Sequence, residues 1–243
     1  MGITSDVGEG PMTNTQRLQC PDDHFLRFDD WEGTFGSSMH ADKSPDKAPC
    51  FLFSANLRRP GDDVQVVVKF VYNYTGTYGT ATHRYLYGLG LAPRLYSVVH
   101  LHRGLVMVVM EHLSFQEGIG GWVELDTFEG KLGEMADAVR QKLEAIIDRL
   151  QSRKMVHADL RPKNILVKVD ERHRIVMSGR EPVLTVIDFD WAGIVGEVCY
   201  PPLLNDRVPW PAGAEAYAKV GRDDDRILLS NWWDAFVQPS KTS

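Results

Sequence analysis

The most constraining feature of this 243-residue chain is an ordered series of patterns between residues 131 and 193. Within KLGEMADAVRQKLEAIIDRLQSRK, the residues Leu132, Met135, Ala136, Val139, Leu143, Ile146, Ile147 and Leu150 recur at helical spacing. That spacing predicts a long amphipathic helix. MVHADLRPKNILVKV follows at once, and VLTVIDFDWAG comes after the polar stretch ERHRIVMSGRE. ILVKV and VLTVIDF read as apolar strands flanking a hairpin. Oxygen-bearing side chains therefore gather in two loops, Asp159 and Asn164 in the first, Asp188 and Asp190 in the second.

Upstream of the helix the pattern is that of a sheet. FLFSANL and the β-branched VQVVVKF surround the turn signal RRPGDD, which predicts a hairpin over residues 51–70. ATHRYLYGLGL reads as a short helix ended by glycines. LYSVVHLHRGLVMVVMEHL holds two further strands around His102–Gly104. FLRFDDWEGTFG has room for one short element between a loose polar tail and a Pro-containing loop at 40–49. A last helix is expected near RILLSNWWDAF. No internal repeat is present. Strands followed by helix, hairpin and helix imply an α+β chain with a sheet-rich first part and a helical second part.

Apolar residues at 43% and charged residues at 25% allow a large folded core. A net charge of −6, with signs alternating along the chain, argues against a nucleic-acid partner. Cys20, Cys50 and Cys199 are few and far apart, which suits free thiols in a reducing compartment. No apolar run approaches the roughly 18 residues a membrane helix needs. The opening MGITSDVGEG lacks the apolar core of a signal peptide. It also has Asp6 where an acylation signal wants Ser or Thr. The expectation is a soluble, intracellular, cytoplasmic protein with neither a membrane nor a nucleic acid as partner.

MVHADLRPKNILVKV resembles the catalytic loop of the protein kinase family, H-R-D-L-x-x-x-N, with His157, Asp159, Leu160 and Asn164 matching and Ala158 replacing Arg. VLTVIDFDWAG is similar to the family's D-F-G metal motif, with Asp188 and Phe189 matching and Asp190 in place of Gly. Lys69 in VVVKF resembles the lysine of V-A-I-K, and VVMEHL resembles the hinge between lobes. The chain thus resembles compact, fungal-type kinase-like domains. The resemblance implies a two-lobed α+β fold, with a small β-rich N-lobe and a reduced, mainly helical C-lobe. Its divisions would be a flexible tail at 1–24, an N-lobe with hinge at 25–113 and a C-lobe at 114–243.

The resemblance also implies ATP and Mg²⁺ as cofactors, and a hydroxyl of a protein or a small molecule as acceptor. Asp159 would orient that hydroxyl, and Asn164 and Asp188 would hold the metal. Lys69 would grip the α- and β-phosphates, and Arg161 would contact the γ-phosphate. Met110 would be the gatekeeper, with the backbone of Glu111, His112 and Leu113 binding adenine.

Several residues depart from the family pattern. No G-x-G-x-x-G precedes Lys69; Gly33 and Gly36 of EGTFGSS, or FLFSANL, are the candidates for the phosphate-covering loop. The helix after Lys69 carries no Glu, and His83 falls near that position. By the resemblance, Asp223–Asp225 would open the supporting helix, where one Asp would brace the catalytic loop. Three readings follow: a protein kinase, a small-molecule kinase like those for aminoglycosides and choline, and a pseudokinase. Ala158 removes the Arg that would meet a phosphorylated activation loop. Between Asp190 and Trp210 the chain has no Ser or Thr, only Tyr200. Activation by Ser or Thr phosphorylation in this segment is therefore not expected. A mass-spectrometric map of active protein that finds a required phosphosite there refutes this.

Overall fold

The computed structural model describes residues 18–19, 25–27, 51–59, 62–72, 78–101 and 104–238. Most of the expected tail, Gly33 and Gly36, the loop at 40–49, the tip of the first hairpin, Cys20 and Cys50 lie outside the described residues.

The elements run in the order β1 (Leu18–Gln19), β2 (Phe25–Arg27), β3 (Phe51–Arg59), β4 (Asp62–Tyr72), α1 (Thr80–Gly88), β5 (Leu95–His100) and β6 (Leu105–Glu111). Then come β7 (Phe115–Gln116), β8 (Gly120–Glu124), α2 (Ala136–Ser152), β9 (Met155–Val156), β10 (Ile165–Val169), β11 (Met177–Ser178), β12 (Glu181–Pro182), β13 (Leu184–Val186), β14 (Gly193–Ile194) and α3 (Asp224–Val237). Strands β1 to β6 form one antiparallel sheet in the order β1-β2-β3-β4-β6-β5. A second antiparallel sheet has the order β13-β10-β8-β7. The architecture is two-lobed and α+β, as expected.

Alternation along the strands decides which residues enter which core. Val66 and Val68 of β4, with Met107 and Val109 of β6, pack on one face of the first sheet. Val71 of β4 and Val106, Val108 and Met110 of β6 face the other way and join the main core. Lys69 lies on that second face, opposite Val108 in the register, and is buried. A lysine there must find carboxylates, because an unpaired ammonium in an apolar core is strongly disfavoured.

Helix α1 connects β4 to β5 and ends where the sequence indicates. Gly90, at φ +71°, donates to the Tyr87 carbonyl, and Leu91 donates to that of Leu86. This closes the helix in the manner that glycine allows. At the other end, Gly79 abuts the segment after Asp188. Its N–H donates to the Phe189 carbonyl at 3.0 Å, and a Cβ there would meet the Ala192 carbonyl at 2.6 Å.

In the second lobe, α2 buries Val139, Leu143, Ile146, Ile147 and Leu150, the stripe expected from the spacing. The hairpin β11–β12 and strands β10 and β13 also match the expectation. Strand β8 does not stand out in the sequence, because its glycines weaken strand propensity. They are needed for fit: Gly120 and Gly121 have φ +94° and +145°, and side chains there would strike Asp170 and Phe115. The short pair β14–β9 ties the chain after Asp190 to the strand before His157. No helix among the described residues is long and apolar enough to cross a membrane.

Leu143 is fully buried in the core under α2. Its truncation removes packed methyl groups and leaves a cavity. Leu143→Ala should lower unfolding free energy by about 2–5 kcal/mol in a denaturant titration.

Candidate active site

The two motif loops meet because β10 and β13 pair with Ile165 opposite Val186. Just beyond that pair, the Ile187 N–H donates to the Asn164 carbonyl at 2.9 Å. Sheet register thus sets Asn164 beside the IDFD segment. Helix α3 holds the first loop from beneath. Asp225 accepts the His157 N–H at 2.7 Å on one oxygen and the Ala158 N–H at 2.8 Å on the other. Trp232, two turns further along α3, donates its indole N–H to the Leu160 carbonyl at 3.1 Å. Ala158 sits at φ +69°, so its strained backbone is retained by these contacts.

Of the three consecutive aspartates, the brace is Asp225. Asp224 instead accepts from the Tyr200 hydroxyl at 2.9 Å and the Gly221 N–H at 2.7 Å. Asp223 accepts from Gln151. Tyr200 is buried, so the only hydroxyl side chain between Asp190 and Trp210 serves as an internal anchor. Burial pushes the Asp225 carboxyl up to about 6, against the two N–H bonds that favour its charge.

Asp159 is buried and its side chain is crowded. Asn164 donates its amide N–H to the Asp159 carbonyl at 2.9 Å and to Oδ2 at 2.8 Å. The guanidinium Nε of Arg161 lies 2.8 Å from Oδ1, an ion pair without hydrogen-bond alignment. Arg161, expected at a phosphate, is thus engaged with Asp159. Burial raises the Asp159 carboxyl to about 7, Asp188 adds to the rise, and Arg161 and Asn164 oppose it.

Phe189 is the hub of the second loop. Its ring stacks on His83 from α1 at 4.3 Å and meets the His157 ring edge-on at 5.1 Å. Burial lowers both imidazoles to about 4, so both are neutral near pH 7. In that state His157 donates from Nε2 to the Ile187 carbonyl and accepts the Asp159 N–H on Nδ1. His83 donates from Nε2 to the Pro93 carbonyl and accepts the Tyr78 hydroxyl on Nδ1.

His83, the residue nearest the expected glutamate position, therefore spends both ring nitrogens elsewhere. Lys69 meets two carboxylates from the other loop instead: Asp188 Oδ1 at 2.7 Å and Asp190 Oδ2 at 2.8 Å. Asp188 sits at φ +67°, a conformation aspartate tolerates better than most residues. Burial works against its charge, but Lys69 overrides it and holds the carboxyl low. Burial and the nearby Asp188 push Asp190 up. The sequence marks Asp190 only as a departure from a glycine; an acid closing an apolar strand run is the signal it offers.

Met110, next to last in β6, has its side chain buried, and the N–H of the strand's last residue, Glu111, donates to the Arg94 carbonyl at 2.8 Å. Among the described residues no three His, Cys, Asp or Glu side chains are grouped to hold a metal. Asn164 turns its amide nitrogen to Asp159, which leaves its oxygen for other partners, and the Asp188 side chain is 36% exposed. One amide oxygen and one carboxylate suit a hard divalent cation whose remaining ligands are phosphate and water.

No protein-family model and no curated protein matches the chain. Solved structures do. It aligns with the Cydia pomonella granulovirus kinase PK-1 at a TM-score of 0.51 and 17% identity, over 76% of this chain and 64% of that one. It aligns with the BubR1 kinase domain at a TM-score of 0.53 and 11% identity, over 91% of this chain and 64% of that one. The chain therefore has a protein-kinase-like fold and spans a little under two thirds of each of these structures.

The Asp225 brace can be measured directly. Asp225→Ala strands two N–H groups in the core, at about 1–3 kcal/mol each. Denaturant titration should show a loss of about 2–6 kcal/mol. An unchanged midpoint would mean that the loop does not hang from α3.

Proposed function

We propose that this chain is a phosphotransferase that moves the γ-phosphoryl group of ATP, with Mg²⁺, to a hydroxyl of a protein. The observation that carries this reading is Lys69 on the inner face of the first sheet, ion-paired to Asp188, with the Asp159–Asn164 loop alongside in a protein-kinase-like fold. The domain would divide at residues 111–114, into an N-lobe with hinge at 25–113 and a C-lobe from 114.

ATP would lie between the lobes. Met110 would back the adenine. The Glu111 N–H is already bonded to Arg94, so the Glu111 carbonyl and the backbone of His112 and Leu113 would pair with the base. Lys69 would hold the α- and β-phosphates. Asn164 and Asp188 would hold Mg²⁺, which neutralises phosphate charge when bound. Asp159 would orient the acceptor hydroxyl and accept its proton as the oxygen–phosphorus bond forms and the β,γ-bridging bond breaks. The products are a phosphoester and ADP. Asp159 carries the Arg161 guanidinium, which would turn to the γ-phosphate once nucleotide is present.

A second reading, a pseudokinase that keeps the fold as a binding module without turnover, is favoured by one observation. Both Asp159 oxygens are engaged, one by Asn164 and one by Arg161. A base so occupied must be released before it can take a hydroxyl.

Calorimetry of ATP with and without Mg²⁺, on wild type and Asp188→Ala, tests the nucleotide site. Wild type should bind more tightly with Mg²⁺, and Asp188→Ala should lose that gain. If bridging by the metal supplies about 4 kcal/mol, turnover should fall by about a thousandfold in the variant. Absence of binding to wild type overturns the first reading and leaves the second, as does binding without phosphate transfer to any hydroxyl acceptor.

A further inference from the structure

We propose that Asp190 is the positioning residue of Lys69, supplying from the IDFD loop the carboxylate that α1 lacks. The inference rests on the nucleotide-site reading above, since it concerns what Lys69 does there.

Helix α1 has the sequence TATHRYLYG and carries no acid. Its best-placed residue, His83, is neutral and committed to Tyr78, Pro93 and the Phe189 ring. A carboxylate for Lys69 must then come from elsewhere, and Asp190 Oδ2 stands 2.8 Å from Nζ. The position is fixed from several sides. Phe189, one residue before, is clasped by the two histidine rings. Its carbonyl accepts the N–H groups of Gly79 and Ala192. The chain just after Asp190 is fastened through β14 to β9. Asp190 has little freedom to leave.

The two carboxylates on Lys69 also differ in their surroundings. The Asp188 side chain is 36% exposed, and that of Asp190 is 19% exposed. Asp190 Oδ1 is buried with no hydrogen-bond partner. A carboxylate turned inward beside a second one is costly, and the Lys69 ammonium, 2.8 Å from Oδ2, offsets the cost. The arrangement divides two tasks that one acid cannot do at once. Asp188 faces outward, where it can turn to a cation. Asp190 keeps the ammonium in place when Asp188 does so.

A double-mutant cycle on the full chain tests this. MgATP binding is measured by calorimetry for wild type, Asp190→Asn, Lys69→Met and the double variant. Asp190→Asn should weaken binding by about tenfold, the size of one lost charge-assisted contact. Adding it to Lys69→Met should weaken binding no further. Asp190→Glu, which keeps the charge, should restore most of the affinity. Wild-type affinity in Asp190→Asn, or independent and multiplying losses in the double variant, would overturn the proposal. Should Asp190→Asn fail to fold, Asp190→Ser takes its place in the cycle. If wild type binds no MgATP, the nucleotide-site reading fails on its own, and the clamp is judged by thermal unfolding of the same four proteins without nucleotide. Coupled melting shifts then support the Lys69–Asp190 pair, and additive shifts refute it.

Discussion

An ammonium on the apolar face of the first sheet is the constraint around which the rest is arranged. Lys69 shares that face with Val71, and its neighbours across the strand are Val106 and Val108. Such a charge is tolerated only with carboxylates in hydrogen-bond contact. Asp188 and Asp190 supply them from a loop more than a hundred residues later in the chain. The pairing is therefore a tie between the lobes as well as an electrostatic necessity. It holds the sheet of the first lobe against the loop that leaves the sheet of the second.

The tie is useful because both of its ends are rigid. On one side, β4 is an inner strand bonded to β3 and β6 along its length. On the other, Phe189 is wedged between His83 and His157, and both imidazoles are kept neutral by burial. Asp225 and Trp232 fix the backbone of the neighbouring loop from below. Polar groups are thereby set in place before any ligand arrives. Chemistry whose demands are positioning and charge neutralisation gains most from such preorganisation.

Much of this was legible in the chain, and the reasons are local. The α2 stripe follows a 3.6-residue period, and β4 and β6 are β-branched runs, so their neighbours decide little. The two loops were legible because they place fixed residue types at fixed spacing. Strand β8 was not, since Gly120 and Gly121 are poor strand formers that are present for close packing. The role of His83 was also hidden. Its place along α1 suggested a neighbour of Lys69, yet its ring nitrogens are taken by Tyr78 and Pro93.

What the sequence determined by itself is the set of elements, their order and the residue types on offer: one inward lysine, an Asp-to-Asn loop, an IDFD loop and a run of three aspartates. These depend on periodicity and spacing, which act within a few residues. Only the tertiary structure decided which partner each received. It gave Lys69 to Asp188 and Asp190, the His157–Ala158 backbone to Asp225 and Tyr200 to Asp224. Each of these is a contact between charges or dipoles distant in the chain. Their energies depend on burial and on distances of 2.7–2.9 Å that exist only once the sheets and helices have packed.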